Sequence, residues 1–340
     1  TTGSSNVAVG YAALSAEDVG QWNVAVGRGA LTHQNTASAS NVYNTAVGGN
    51  AGANISTGTY NTVIGGLAGD ALTVAYNNVA VGYASLSNDL KGSRSVAIGT
   101  NALSSQQFGT STNVYNTAVG YNAGAVITSG MPNTIIGGLA GGSITTGGSH
   151  TAVGYQALAN TTTGSGHTAV GHLALASATT ADYAVGIGWK AGDAVTTAAY
   201  FTGNSNTAVG YHAGYSITTG SRNTAIGFAA MDANETYSFN VAVGSYALTS
   251  MTTGGYNTAV GDYALGFNTT GYNNTAVGQG ALQNTTTGAT NTAVGTSACP
   301  QLTTGSHNVC VGNSAGYSLT THSSSIFIGH QAGYNTAASN

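Results

Sequence analysis

The residues of this chain best equipped for chemistry are His150 and His167, which open the same phrase, HTAV, 17 positions apart, and Cys299 and Cys310, 11 positions apart. Two imidazoles brought together are part of a metal site, because zinc takes at least three protein ligands. No carboxylate or cysteine joins them in the matching phrase, so a ladder in which His stands in for another polar residue is the competing reading. The two cysteines either bridge and close a small loop, or remain two buried thiols; a bridge would point to an oxidising compartment. The nine Asp and Glu are scattered singly, and none is paired as a general acid and base would be. Glycine-rich calcium rolls need a recurring Asp, which is missing, and no Gly-Lys-Ser/Thr triplet marks a phosphate loop. The expectation is a non-enzymatic protein with no cofactor and no metal.

Composition narrows the class further. Charged residues make up 4% of the 340, against roughly 25% in an ordinary soluble domain. A net charge of −4 without a basic run gives no case for nucleic-acid binding. No apolar run approaches the roughly 20 residues of a membrane helix, so membrane insertion is not expected. Abundant Val, Ile, Thr and Tyr suit strands and argue against disorder. The opening TTGSS carries neither Met nor a signal-like apolar segment, and reads as a mature or excised portion.

What must position these residues is a repeat. Nineteen copies of N-T-A-V-G-Y-x-A-L/G-x-x-x-T-T-G-x-x follow one another, most at steps of 17, numbered here as positions 1 to 17. Position 5 is glycine in every copy: Gly10, Gly27, Gly48, Gly65, Gly82, Gly99, Gly120, Gly137, Gly154 and Gly171, then Gly188, Gly210, Gly227, Gly244, Gly261, Gly278, Gly295, Gly312 and Gly329. Position 4 is Val or Ile in all 19, position 2 is Thr, Val or Ile, and position 8 is Ala except at Ser85. Position 1 is Asn in 14 copies: Asn6, Asn23, Asn44, Asn61, Asn78, Asn116 and Asn133, then Asn206, Asn223, Asn240, Asn257, Asn274, Asn291 and Asn308. These are either a ladder of stacked side-chain amides or plain turn residues.

β-branched residues two apart, ended by glycine, describe a short strand that turns sharply. No copy has a 3.6-residue apolar period. The predicted fold is all-β: a parallel β-solenoid of about 19 coils, one per repeat. At a strand spacing of about 4.8 Å it would form a rod on the order of 90 Å long. Residues 1–340 read as one continuous rod, uncapped at both ends, with longer loops near 33–43, 104–115 and 196–205. All 14 charged residues avoid positions 1 to 5, 8 and 9, as a dry stacked wall requires. Position 9 alternates in pairs, Leu14 and Leu31, then Gly52 and Gly69, then Leu86 and Leu103, then Gly124 and Gly141. With NVYNTAVGGNAG (41–52) echoed by NVYNTAVGYNAG (113–124), this marks a duplicated four-coil block.

Positions 2 and 4 share one strand face and positions 1, 3 and 5 the other, and neither is properly polar. One face must line the interior; the other either associates laterally, as in a trimer, or is Thr and Ala that tolerate water. Bare edges template pairing with another chain, so end-to-end stacking or membership of a longer fibre is expected. Tyr at position 6 (Tyr11, Tyr83, Tyr121, Tyr155, Tyr211) and at the coil end (Tyr60, Tyr256) either form ladders that stack on sugars or another rod, or cover a corner. Thr at positions 13 and 14 read as O-glycan sites, an ice- or carbohydrate-facing row, or solvated turns. Asn160, Asn268 and Asn284 each precede Thr-Thr and permit N-glycosylation.

SVAIGTNAL (95–103) and the recurring NTAVGYxAL resemble the head repeats of YadA-like trimeric autotransporter adhesins, and the repeats of phage tail-fibre proteins. That resemblance implies a left-handed β-roll, often trimeric, displayed outside the cell to bind surfaces. The expected role is an extracellular structural fibre whose solenoid ends stack head-to-tail into a filament supporting adhesion or matrix. The alternatives are an adhesin head or tail-fibre shaft that binds surface glycans, and, further off, ice binding. The expected partners are the chain itself and surface glycans; the expected location is extracellular or the cell or virion surface.

Overall fold

The computed structural model describes residues 3–36, 41–194, 205–233 and 236–335. Of the three expected loops, most of 196–205 and residues 37–40 of 33–43 lie outside that set. The described residues contain no helix, and the chain is an all-β, parallel β-solenoid. They fall into two compact units, Thr1–Gly166 and His167–Asn340.

In the first unit each repeat contributes one short strand over positions 2 to 4, from Val7–Val9 through Val24–Val26 and Thr45–Val47 to His150–Val153. Neighbouring strands run parallel with each residue opposite its equivalent, Val24 against Thr45, Ala25 against Ala46, Val26 against Val47. The second unit repeats the plan from Thr168–Val170 to Ile326–Ile328, with Thr258, Ala259 and Val260 opposite Thr275, Ala276 and Val277.

Two steric facts make glycine the sole residue at position 5. Gly27 sits at φ +130°, outside the region a side chain tolerates, and a Cβ there would lie 2.5 Å from the Gly48 carbonyl oxygen. Gly48 meets Gly65, and Gly65 meets Gly82, in the same way. Each strand therefore ends where the next coil's backbone occupies the space of the missing side chain.

Beyond that glycine the chain turns through left-handed residues that are mostly not glycine. Ala12, Leu14 and Trp22, at positions 7, 9 and 17 of the first copy, have φ of 56°, 51° and 64°. Tyr246, Leu248 and Tyr256 repeat this in the second unit, at 53°, 51° and 62°. Such geometry costs a non-glycine residue roughly 1–2 kcal/mol. It is offset by hydrogen bonds between coils, such as Leu14 N–H to the Ala30 carbonyl at 2.9 Å and Tyr263 N–H to the Ser245 carbonyl at 2.9 Å.

The interior is narrow. Ala at positions 3 and 8 points inward and is fully buried, as at Ala25, Ala30, Ala259 and Ala264, while positions 2 and 4 face out. The remaining space is filled from position 9 or from position 12. Leu31 fills it where position 12 is Gln34; Ile55 fills it where position 9 is Gly52. Leu86 with Asp89, and Gly124 with Ile127, repeat the exchange.

The 21-residue step beginning at Ser95 shows where extra chain goes. Thr112–Asn113 pairs with Gly92–Ser93 of the preceding coil as a small parallel sheet, and Gly109, Thr110 and Ser111 bulge into solvent between the paired parts. Asn41 bridges Gln21 at the corresponding point of the earlier block.

Candidate functional surfaces

The Asn side chains at position 1 sit at the interior edge of each strand, and all but Asn6 are buried. Each does two jobs. Asn61 donates from Nδ2 to the Ala75 carbonyl of its own coil at 2.9 Å, and its Oδ1 accepts the Asn78 N–H of the next coil at 3.0 Å. Asn274 does the same with the Gly288 carbonyl and the Asn291 N–H, at 2.8 and 2.9 Å. Direct amide-to-amide contacts supplement this, as from Asn291 to Asn274 at 3.1 Å. The ladder therefore ties side chain to backbone first and amide to amide second. Satisfying these buried groups matters because each orphaned one would cost about 1–3 kcal/mol.

His150 and His167 are rungs of this ladder in different units. His150 is buried and its N–H bonds Asn133 Oδ1 at 3.0 Å. His167 is buried, and its Nδ1 accepts the Ala184 N–H at 3.1 Å, the role Asn Oδ1 plays elsewhere. Burial lowers the His167 pKa; the Ala181 backbone, the Asp182 charge and the Ala184 backbone work the other way. A neutral imidazole is what the accepted bond requires. Among the described residues no three His, Cys, Asp or Glu converge as metal ligands would.

Cys299 and Cys310 form a disulfide in the interior of the second unit, with Cα atoms 6.0 Å apart. Cys299 takes the place of Leu at position 9 and Cys310 that of Ala at position 3 one coil on. Position 12, which sequence reasoning passed over, carries a polar network in the first unit. Asp89 is fully buried and accepts the Gly92 and Phe108 N–H groups at 3.0 Å each and Gln106 Nε2 at 2.6 Å. Gln106 also bonds Ser95 and Asn116, at 3.0 and 2.9 Å. The signal was present: Gln34 and Gln106 occupy position 12 of both first-unit coils that precede a 21-residue step.

Half-buried carboxylates recur at position 10. Partial burial raises the pKa of Asp70, Asp193 and Asp232, opposed at Asp193 chiefly by Lys190 and at Asp232 by His212, whose Nδ1 lies 3.9 Å away.

The aromatic side chains form rows. In the second unit His172, Trp189, Tyr211, Phe228, Tyr246 and Tyr263 follow one another, with centroid separations of 6.3, 4.8, 5.0, 5.2 and 4.8 Å. Lys190 lies 5.1 Å from the Trp189 ring centre. At the coil end, Phe239 stacks on Tyr256 at 5.0 Å beside an open groove of about 670 Å³ that Tyr237, Tyr272 and Asn273 also line. In the first unit Trp22, Tyr43 and Tyr60 form a shorter row at 6.2 and 5.8 Å. Of the expected position 6 tyrosines, Tyr211 is inside a row, whereas Tyr11 has Arg28 over its ring at 6.0 Å.

The Thr hydroxyls at position 13 bond along the stack to the next coil: Thr269 donates to the Thr286 carbonyl at 3.0 Å, and Thr286 to that of Thr303 at 3.2 Å.

A comparison with protein-family models and with curated proteins finds no match to this chain. Its functional reading therefore rests on the outward sheet face. Val and Ile at position 4 stand in every copy and yet point away from the interior, with Ile64, Ile98, Ile226 and Val294 all 37–38% exposed. Thr, Val or Ile at position 2 lies beside them, half-buried in most copies. No charge falls on positions 1 to 5 of any copy. Among the described residues no helix is long and apolar enough to cross a membrane.

Proposed function

We propose that this chain is a non-enzymatic structural scaffold of an extracellular fibre, in which the outward Thr, Val and Ile rows pack side by side against further copies. The supporting observation is the β-branched residue at position 4. It is outside the core of its own coil, so filling that core does not account for its presence in all 19 copies. An uncharged apolar stripe along each unit is a surface that monomers rarely leave open. A second copy carries the same residues at the same spacing and matches it row for row. Stacking of coil on coil belongs to the same proposal, since each coil offers strand edges to its neighbours. The resemblance to adhesin-head and tail-fibre repeats and the Cys299–Cys310 disulfide support a place outside the cell.

Sedimentation and electron microscopy test this. The unaltered chain is expected to assemble with rising concentration. Val243→Lys and Val277→Lys together, two coils apart on the outward face so that the new charges are not directly opposite one another, are expected to return it to single chains with unchanged circular dichroism. A concentration-independent monomer for the unaltered chain would sink the proposal.

A second reading, surface-glycan binding, is favoured by the groove beside Phe239 and Tyr256, where ring edges, hydroxyls and the Asn273 amide are exposed together. A glycan array probed with the chain and with Tyr256→Ala separates the two readings, because that substitution leaves the Val and Ile stripe intact.

A further inference from the structure

We propose that stacked tyrosine pairs on neighbouring coils are sites of oxidative cross-linking, and that their oxidant is a haem peroxidase acting with hydrogen peroxide. Among the described residues, three pairs show the geometry. Tyr246 and Tyr263 lie 4.8 Å apart between ring centroids with planes inclined by 21°. Tyr317 and Tyr334 lie 4.8 Å apart at 19°, and in the first unit Tyr43 and Tyr60 lie 5.8 Å apart at 18°. The members of each pair are 17 residues apart at equivalent points of neighbouring coils, Tyr43 and Tyr60 each immediately before the next Asn, so the backbone register holds the rings together without any movement of the chain. The rings are also reachable: Tyr43, Tyr60 and Tyr334 are 45%, 52% and 36% exposed, and Tyr246 and Tyr263 are half-buried.

The chemistry balances on the residues present. Hydrogen peroxide, reduced to two molecules of water by the peroxidase, removes one electron and one proton from each of the two phenols. The resulting radicals couple through ring carbons ortho to oxygen, forming one carbon–carbon bond. The two ring hydrogens at those carbons then move to the oxygens and restore both phenols. The net loss is two hydrogens per link. Coupling needs two radicals in contact, and holding them in place removes the diffusional search that limits isolated tyrosines. Neighbours set the selectivity. Tyr211 is sandwiched between Trp189 and Phe228, so it has no phenol partner in its row. No free thiol is present to quench a radical, because both cysteines are in the disulfide. The product is a covalent staple between coils otherwise joined by hydrogen bonds. It is formed within one chain, and so stands or falls independently of the fibre reading.

The test is peroxidase and hydrogen peroxide added to the dilute full chain, read by dityrosine fluorescence and by mass spectrometry of proteolytic fragments. Single chains that have lost two hydrogens per link are expected, with a fragment joining Tyr246 to Tyr263 and another joining Tyr317 to Tyr334. Tyr263→Phe is expected to abolish the first link and keep the second, which also reports that the variant is folded. The same oxidation in concentrated urea is expected to lose both. The proposal is overturned if links form as often at Tyr83, Tyr121 and Tyr272 as at the stacked pairs. It is equally overturned if only interchain dimers appear, or if urea leaves the paired links unchanged.

Discussion

Two successive coils of the first unit, one from Asn23 and the next from Asn44, share a backbone but are filled from opposite places. In the first, Leu31 supplies the core and Gln34 turns its amide to the chain, accepting Asn44 Nδ2 at 2.5 Å and donating to the Ser56 carbonyl at 2.9 Å. In the second, Gly52 leaves the space and Ile55 enters it. The position 9 residues have almost the same φ, 50° at Leu31 and 57° at Gly52. Left-handed geometry therefore does not dictate the glycine. Crowding does: a Cβ on Gly52 would lie 2.9 Å from Ile55 Cδ1 and 3.1 Å from both Leu31 Cδ2 and Val63 Cγ2. One fixed coil tolerates two solutions as long as the volume they supply is constant.

The comparison breaks most severely at what the two coils share. Gly27→Ala places a methyl group 2.5 Å from a backbone carbonyl at a φ of +130°. Adding the cost of that conformation to that of overpacking gives an expected loss of about 4 kcal/mol, read as a drop in the urea midpoint of the first unit. A midpoint unchanged within error would mean that the coils are not held this close.

The next effect separates the two fillings. Ile55→Ala is expected to cost about 2–5 kcal/mol through the cavity it leaves. Gly52→Leu alone is expected to cost about 1–3 kcal/mol through overpacking. Gly52→Leu with Ile55→Gln rebuilds the other filling, so the double variant is expected to be more stable than the sum of its singles predicts. Plain additivity in that cycle would refute the reciprocal packing.

Asn61→Ala probes the ladder that passes through both kinds of coil. It strands the Asn78 N–H and the Ala75 carbonyl, so a loss of about 1–3 kcal/mol for each orphaned group is expected in the same denaturation assay. Hydrogen exchange should speed first at the Asn78 amide.

The smallest effect sets His167 against its asparagine counterparts. Burial places its folded pKa below the ordinary histidine value of about 6.5. As the pH falls, the unfolded chain takes up the proton first. The stabilisation is thus complete above that value and is lost progressively toward the depressed folded pKa. His167→Asn is expected to flatten this acid slope in thermal melts of the second unit. An identical slope in the variant would assign it to other groups.

Much of this architecture can be read from the sequence because in-register stacking brings each residue against its own equivalent. The period, the strand at positions 2 to 4 and the glycine at position 5 are all written as repetition. The inward face is harder to read. Ala25 and Ala46 line the interior while the bulkier Val26 and Val47 face out, the reverse of what side-chain size suggests, because the core volume comes from Leu31 and Ile55. The Leu and Gly alternation at position 9 is plain in the sequence, but its partner at position 12 is hidden by variety: Gln34, Ile55, Leu72 and Asp89 share no chemistry. Left-handed residues escape notice for a similar reason, since Trp22, Leu31 and Tyr43 are not the glycines or asparagines that signal such turns. The Asn rungs were visible as a column, but their bonding to the carbonyl 14 residues ahead depends on where the coil closes.

The bulge at Gly109, Thr110 and Ser111 implies a rule for how such a chain can lengthen. A whole added coil preserves every contact, whereas a single residue inserted between positions 1 and 9 would slide glycine off glycine and amide off amide. At this corner the strand pair Gly92–Ser93 and Thr112–Asn113 seals the coil on one side and the next Asn resumes the count on the other. Foreign peptide spliced there would be carried outward into solvent between the same two anchor points, at a closure cost that grows only slowly with its length.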